Sequence, residues 1–155
     1  MTLVRVNNDN LDEYEEFIKK HPKGLFQHSS KWAKVKSAWK FEAIMLKNDN
    51  GEIKGSAAVL IRSIPIIKNS LMYCCRGFVC DENDFDTFDK LFNGLIELGK
   101  EYKAYCIKID PEIVIQNEAY KKHLIESGFI ELNPGCMDFE NVQPRFVYCF
   151  DYNGM

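Results

Sequence analysis

The chain has 155 residues, 46% of them hydrophobic and 13% aromatic, with a formal charge of −3. That is one domain's worth of chain with ample material for a core. It excludes a self-sufficient nucleic-acid binder, since no Lys/Arg block or basic tail is present, and a spanning helix, since no apolar run reaches ~18 residues.

The first predicted element is a helix over 10–20. Asn10 can cap it, Asp12 and Glu13 favour its first turn, and Leu11, Tyr14, Phe17 and Ile18 form its apolar stripe. Pro22 and Gly24 stop it. A second helix opens at a serine cap in Phe26-Gln-His-Ser-Ser-Lys-Trp32-Ala-Lys-Val-Lys36-Ser-Ala-Trp39. Spacings of three and four put Trp32, Val35 and Trp39 on one stripe, and Lys34 and Lys36 off it. Such a stripe can be core. An ammonium beside an indole wall can also hold an anionic, partly apolar ligand.

Strands follow at 41–47 and 53–65 around the turn Asn48-Asp49-Asn50-Gly51, then at 71–75, where Arg76-Gly77 breaks the run. A long helix is predicted over 84–102, with Phe85, Phe88, Leu91, Phe92, Leu95 and Ile96 inward. A buried strand at 104–110 ends at Asp110-Pro111, a helix at 117–127 is closed by Gly128, a strand opens at Phe129-Ile130, and a last strand covers 145–151.

The six cysteines do not form a disulfide framework or a zinc site, because no Cys-x-x-Cys or Cys/His pairing exists among Cys74, Cys75, Cys80, Cys106, Cys136 and Cys149. They read as reduced, buried thiols. With no signal-peptide layout at the N-terminus, a cytoplasmic protein is expected. His28 beside Ser29 and Ser30 has the residue types of a nucleophile set, but adjacency in sequence is not triad geometry.

The order α, α, β, β, β, α, β, α, β, β describes an α/β (α+β) fold, a mixed central sheet with helices on both faces. It resembles the Gcn5-related acyltransferase (GNAT) fold, where the ending Lys122-His-Leu-Ile-Glu-Ser-Gly-Phe129 is common. Several motifs then line up in one order: Phe26-Gln27, Trp32-Ala-Lys-Val-Lys36 with Trp39, Gly51-Glu-Ile-Lys-Gly55, Arg62-Ser-Ile-Pro65, Tyr73-Cys-Cys-Arg76-Gly77, Ile109-Asp110-Pro111 and Val142-Gln143-Pro144-Arg145. Together they resemble the Fem family of peptidoglycan bridge-forming aminoacyltransferases.

The resemblance implies transfer of an amino acid from aminoacyl-tRNA to a stem-peptide amine of a nucleotide- or lipid-linked muropeptide precursor. It implies no metal or organic cofactor and no covalent protein intermediate. Family members are built from two GNAT-like domains. These 155 residues correspond to a single domain, the first, so a partner domain or a homo-oligomer is expected, and an inner-membrane-face location is possible for the cytoplasmic protein.

Carried over by position, Lys36 meets the precursor's phosphates. Ser37, Ala38 and Trp39 line the same pocket, and Tyr105 lies on the strand that ends at the cleft. Asp110 is the catalytic candidate, orienting the acceptor ammonium or assisting its deprotonation; equally, it can be a capping carboxylate before Pro111. Tyr105 can be half-buried core. Arg76 can present a cation at a sharp turn or be a solvated arginine beside a bulge glycine. Gln143-Pro144-Arg145 shapes the entry to the last strand.

Two rival readings remain. One is a non-catalytic muropeptide-binding or partner-docking module. The other is an acetyl-CoA-dependent acetyltransferase, which needs a Gly-rich turn opening a helix; this chain has one glycine there, followed by acids.

Overall fold

A computed structural model describes residues 1–66, 68–114 and 116–131. In chain order the elements are β1 (Thr2–Arg5), α1 (Leu11–Lys20), a 3₁₀ turn (Phe26–His28), α2 (Ser30–Val35), β2 (Lys40–Lys47), β3 (Ile53–Ile64), β4 (Asn69–Cys74), α3 (Phe85–Glu101), β5 (Ala104–Ile109) and α4 (Glu118–Glu126). The strands form one sheet in the order β1-β2-β3-β4-β5. The first four are antiparallel neighbours, and β5 lies parallel to β4. This is the mixed α/β sheet expected from the sequence.

Two compact units divide the chain, Met1–Tyr120 and Lys121–Met155. In the first, α1 covers one sheet face. Tyr14 and Ile18 pack with Ala43, Met45, Ala58 and Val79, and Val4, Leu11, Phe17 and Phe41 close around them. The other face carries α3. Asp84 caps it, with Oδ1 accepting the Thr87 N–H at 3.1 Å and Oδ2 accepting the Thr87 hydroxyl at 2.8 Å. Phe88, Leu91, Leu95 and Leu98 recur at helical spacing and are buried, while Phe85, Phe92 and Ile96 are half-buried. Tyr120 closes the unit edge-on to Phe88, with ring centroids 5.6 Å apart.

A polar brace joins the start of β2 to the end of α3. Glu42 accepts from Arg5 Nε at 2.8 Å and from the Tyr102 hydroxyl at 2.5 Å, and Lys40 lies 3.1 Å away. Arg5 also bonds Glu101.

In the second unit, Gly128 closes α4 at φ +89°. The Phe129 N–H bonds the Leu124 carbonyl and the Gly128 N–H that of Ile125, both at 3.0 Å. These are the paired bonds of a Schellman ending.

Several expectations need correction. β1 was not expected; its four residues are too few to show a period, and it exists because Thr2–Arg5 pair with β2. Asn10 stands at the cap of α1, but its side chain closes the preceding turn by bonding Asn7 N–H and the Arg5 carbonyl. The tryptophan helix stops at Val35, where Lys36 leaves helical geometry at φ −90°, ψ 48°. Trp39 is therefore not on it, and α2 buries no residue. β5 is not buried: Tyr105 is 56% exposed and Cys106 is exposed. The cause is a register shift against β4, where Ser70 faces Ala104 but Leu71 faces Cys106, leaving Tyr105 as the extra residue. Cys74, Cys75 and Cys80 are free and buried as expected.

No strand forms at Phe129-Ile130 among the described residues. The last strand at 145–151, Gln143-Pro144-Arg145, Cys136 and Cys149 lie outside them. No helix among the described residues is long and apolar enough to cross a membrane.

Candidate functional site

β4 and β5 are the parallel pair of the sheet, and their C-terminal ends lie side by side, with Tyr73 facing Lys108 and Cys74 facing Ile109. Open α/β sheets bind ligands outside the carboxyl ends of parallel strands. Two turns leave this edge together. After β4 the chain passes Arg76 at φ 60° and Gly77 at φ 77°; after β5 it passes Asp110 and Pro111.

The two turns clasp each other. Asp110 Oδ1 accepts the Arg76 N–H at 2.8 Å, and the Arg76 carbonyl accepts the Glu112 N–H at 3.4 Å. Gly77 lies so close to Pro111 that an added Cβ would stand 3.0 Å from both its Cα and its Cβ. The Arg-Gly and Asp-Pro motifs are thus two halves of one contact.

Half of the Asp110 carboxylate has this bracing role, which is the capping reading of the sequence. The other half does not: Oδ2 is covered and makes no hydrogen bond within the protein. Burial pushes the Asp110 acid up, against the pull of the Arg76 N–H, the Tyr73 hydroxyl and the Arg76 charge. Tyr73 shares this face of the sheet by strand alternation. Its hydroxyl is close enough to feel Asp110, yet it too completes no hydrogen bond of normal geometry. Burial raises the Tyr73 phenol, so it stays protonated. Lys108 rests 6.0 Å from the centre of the Tyr73 ring.

His28 sits behind the clasp, buried. Its Nδ1 accepts the Leu25 N–H at 3.0 Å and its carbonyl accepts the Tyr14 hydroxyl at 2.6 Å. Burial pulls the imidazole down to about 4, so it is neutral at pH 7. Ser29 and Ser30 give their hydroxyls to Glu15, at 2.7 and 2.6 Å. The His-Ser-Ser run is therefore packing and capping, not a nucleophile set.

The remaining candidates occupy the turn from α2 into β2. Lys36, Ser37 and Ala38 are exposed and Trp39 is half-buried. The Lys36 ammonium lies 5.1 Å from the centre of the Trp32 ring. Trp39 is instead stacked by the Arg62 guanidinium, 5.7 Å from the ring centre. Tyr105 stands apart: it is exposed near the start of β5, five residues and roughly 17 Å of strand from Asp110, and the core reading of it does not hold.

Sequence reasoning gave no role to Arg62 or Tyr73. Arg62 was visible as a lone cation in the apolar second half of β3, and Tyr73 as the residue two before Cys75 in a quoted motif. Neither signal says which face the residue takes.

At the start of α3, where a GNAT enzyme's anion-binding helix would open, the first-turn N–H of Thr87 already holds the Asp84 carboxylate.

Known proteins resemble this chain in sequence and in fold. A lipid II:glycine glycyltransferase of Staphylococcus epidermidis is 37% identical over 120 residues, which is 76% of this chain and 29% of the relative. The chain thus spans less than a third of that relative's length. Among solved structures, FemX superposes with a TM-score of 0.72 at 30% identity, over 83% of this chain and 32% of FemX. A probable acetyltransferase superposes with a TM-score of 0.63 at 13% identity, over 97% and 99% of the two chains, a likeness of fold alone. Residues 10–133 match the FemAB family, and the chain belongs to that family.

Proposed function

We propose that this chain is a single GNAT-like domain equivalent to the first half of a two-domain Fem transferase, and that it holds the acceptor substrate in peptidoglycan bridge formation. The acceptor is a muropeptide precursor. Its diphosphate meets the Lys36 ammonium, with Trp39 and Arg62 as the adjoining wall, and its stem-peptide amine is directed to Asp110.

Asp110 orients the ammonium and takes its proton. The free amine attacks the ester carbonyl of an aminoacyl-tRNA; the C–N bond forms, the C–O bond to the ribose breaks, and the departing oxygen is protonated. The donor is held mainly by a second domain, supplied by a partner or by the rest of a longer protein. No metal, organic cofactor or covalent protein intermediate takes part in this scheme.

Within a member of this family, the observation that carries the reading is the Asp110 carboxylate at the carboxyl ends of β4 and β5, braced through Oδ1 with Oδ2 unengaged. Because Oδ2 is covered, the amine must displace what covers it.

The test is calorimetric titration with a nucleotide-linked muropeptide pentapeptide, with acetyl-CoA as the control. The muropeptide is expected to bind and acetyl-CoA is not. Lys36→Ala should weaken muropeptide binding roughly tenfold, the scale of one hydrogen bond to a charged group, with the fold unchanged. Unaltered affinity would remove Lys36 from the phosphate site.

A further inference from the structure

α2 buries no residue, and its segment carries an unusual surface. Phe26 is 63% exposed and Val35 is 68% exposed. Trp32 joins them, its ring edge-on to Phe26 at 5.1 Å, with Val35 three residues further along the same helix face. Lys31, Lys34 and Lys36 are exposed around this cluster, and the Lys36 ammonium lies against the Trp32 ring. Residues 26–40 contain four lysines and no carboxylate, in a chain whose net charge is −3. Of these lysines Lys40 is paired with Glu42 at 3.1 Å, which leaves Lys31, Lys34 and Lys36 on the face, and Glu15 on α1 is engaged by Ser29 and Ser30.

We infer that this face docks on an anionic lipid bilayer, with Phe26, Trp32 and Val35 entering the headgroup level and the lysines meeting lipid phosphates.

The combination of groups favours that occupant. A protein partner would have to cover three lysines with carboxylates while also accepting the apolar cluster. A bilayer takes both at once: apolar groups sink below the phosphates, and lysine stems lie along them while the ammonium groups stay at headgroup level. An indole suits that boundary, having an apolar body and one polar N–H. Each lysine near an anionic surface adds attraction that salt screens. Lys36 is shared with the phosphate site proposed above, but Phe26, Trp32, Val35, Lys31 and Lys34 are not, so bilayer docking through them needs no precursor. If both readings hold, the chain works on membrane-borne acceptor.

The experiment is co-sedimentation of the whole chain with vesicles of phosphatidylcholine alone or mixed with phosphatidylglycerol. Tryptophan quenching by brominated lipid is followed in parallel. The only tryptophans are Trp32 and Trp39, so the signal reports this region. Binding to the phosphatidylglycerol vesicles is expected, weakened by salt. The double variant Lys31→Glu/Lys34→Glu should lower partition at least about tenfold, and Val35→Asp should reduce quenching. Lys54→Glu, on β3, should change partition far less than the double variant. Circular dichroism checks that each variant is folded. No binding to anionic vesicles, or equal binding by the wild type and both patch variants, overturns the inference. Self-association that Val35→Asp abolishes, without vesicle binding, would assign the face to a second copy instead.

Discussion

Glu42 shows how one carboxylate can tie distant segments. It is buried on β2, yet it takes bonds from Arg5, Tyr102 and Lys40. Burial pushes its acid up, but those bonds outweigh burial and hold it at about 2, below the ordinary 4.5. A carboxyl depressed on folding contributes stability above its unfolded pKa and loses it as pH falls through the folded one. Unfolding free energy should therefore decline between about pH 5 and pH 2, with Glu42 contributing on the order of 2–3 kcal/mol of the fall. Glu42→Gln should flatten that limb in urea titrations at stepped pH; an unchanged slope would mean the brace contributes little. At the other end of the sheet, Gly77→Ala should lose about 1–3 kcal/mol for the left-handed backbone alone, and more for contact with Pro111. Urea unfolding measures it. A variant as stable as wild type would show that the turn can move.

At the scale of elements, α3 is the clearest case of sequence dictating structure, from its Asp84 cap to its buried stripe. Asp84→Ala should cost about 1 kcal/mol in thermal or urea unfolding, and a neutral result would show that solvent replaces the cap. The elements legible in advance share this quality of repeated, redundant signal: α1, α3, the β2–β3 hairpin and α4 lie within a residue or two of where periodicity and turn chemistry put them. The misreadings have specific physical causes. Trp32, Val35 and Trp39 are spaced as a helix would space them, but the backbone leaves the helix at Lys36 and the spacing becomes coincidence. β5 is apolar enough to read as buried, but an extra residue at Tyr105 turns part of it outward. β1 is held by its partner strand, a cause invisible in four residues.

For the molecule as a whole, fold class and family were readable, because the motifs recur in one sequence order and a mixed sheet follows from the alternation of elements. The site was readable only as residue names. That Asp110 answers to Arg76, and Trp39 to Arg62, depends on which strands become neighbours and which face each residue takes. The chain spans under a third of the S. epidermidis relative. The proposal therefore predicts that this chain alone binds precursor but forms no aminoacylated product when aminoacyl-tRNA is supplied, as read by mass spectrometry. Product formation would show that this portion suffices for transfer.

Surface loops usually absorb insertions with little harm, and the hairpin turn Asn48–Gly51, where an added Cβ on Gly51 would meet nothing, is free to do so. The turns after β4 and β5 are not. A residue gained or lost in either would break both hydrogen bonds at Arg76 and separate Gly77 from Pro111. Length changes among descendants of this chain should therefore accumulate in the hairpin, while these two turns keep their residue count together or lose the site together.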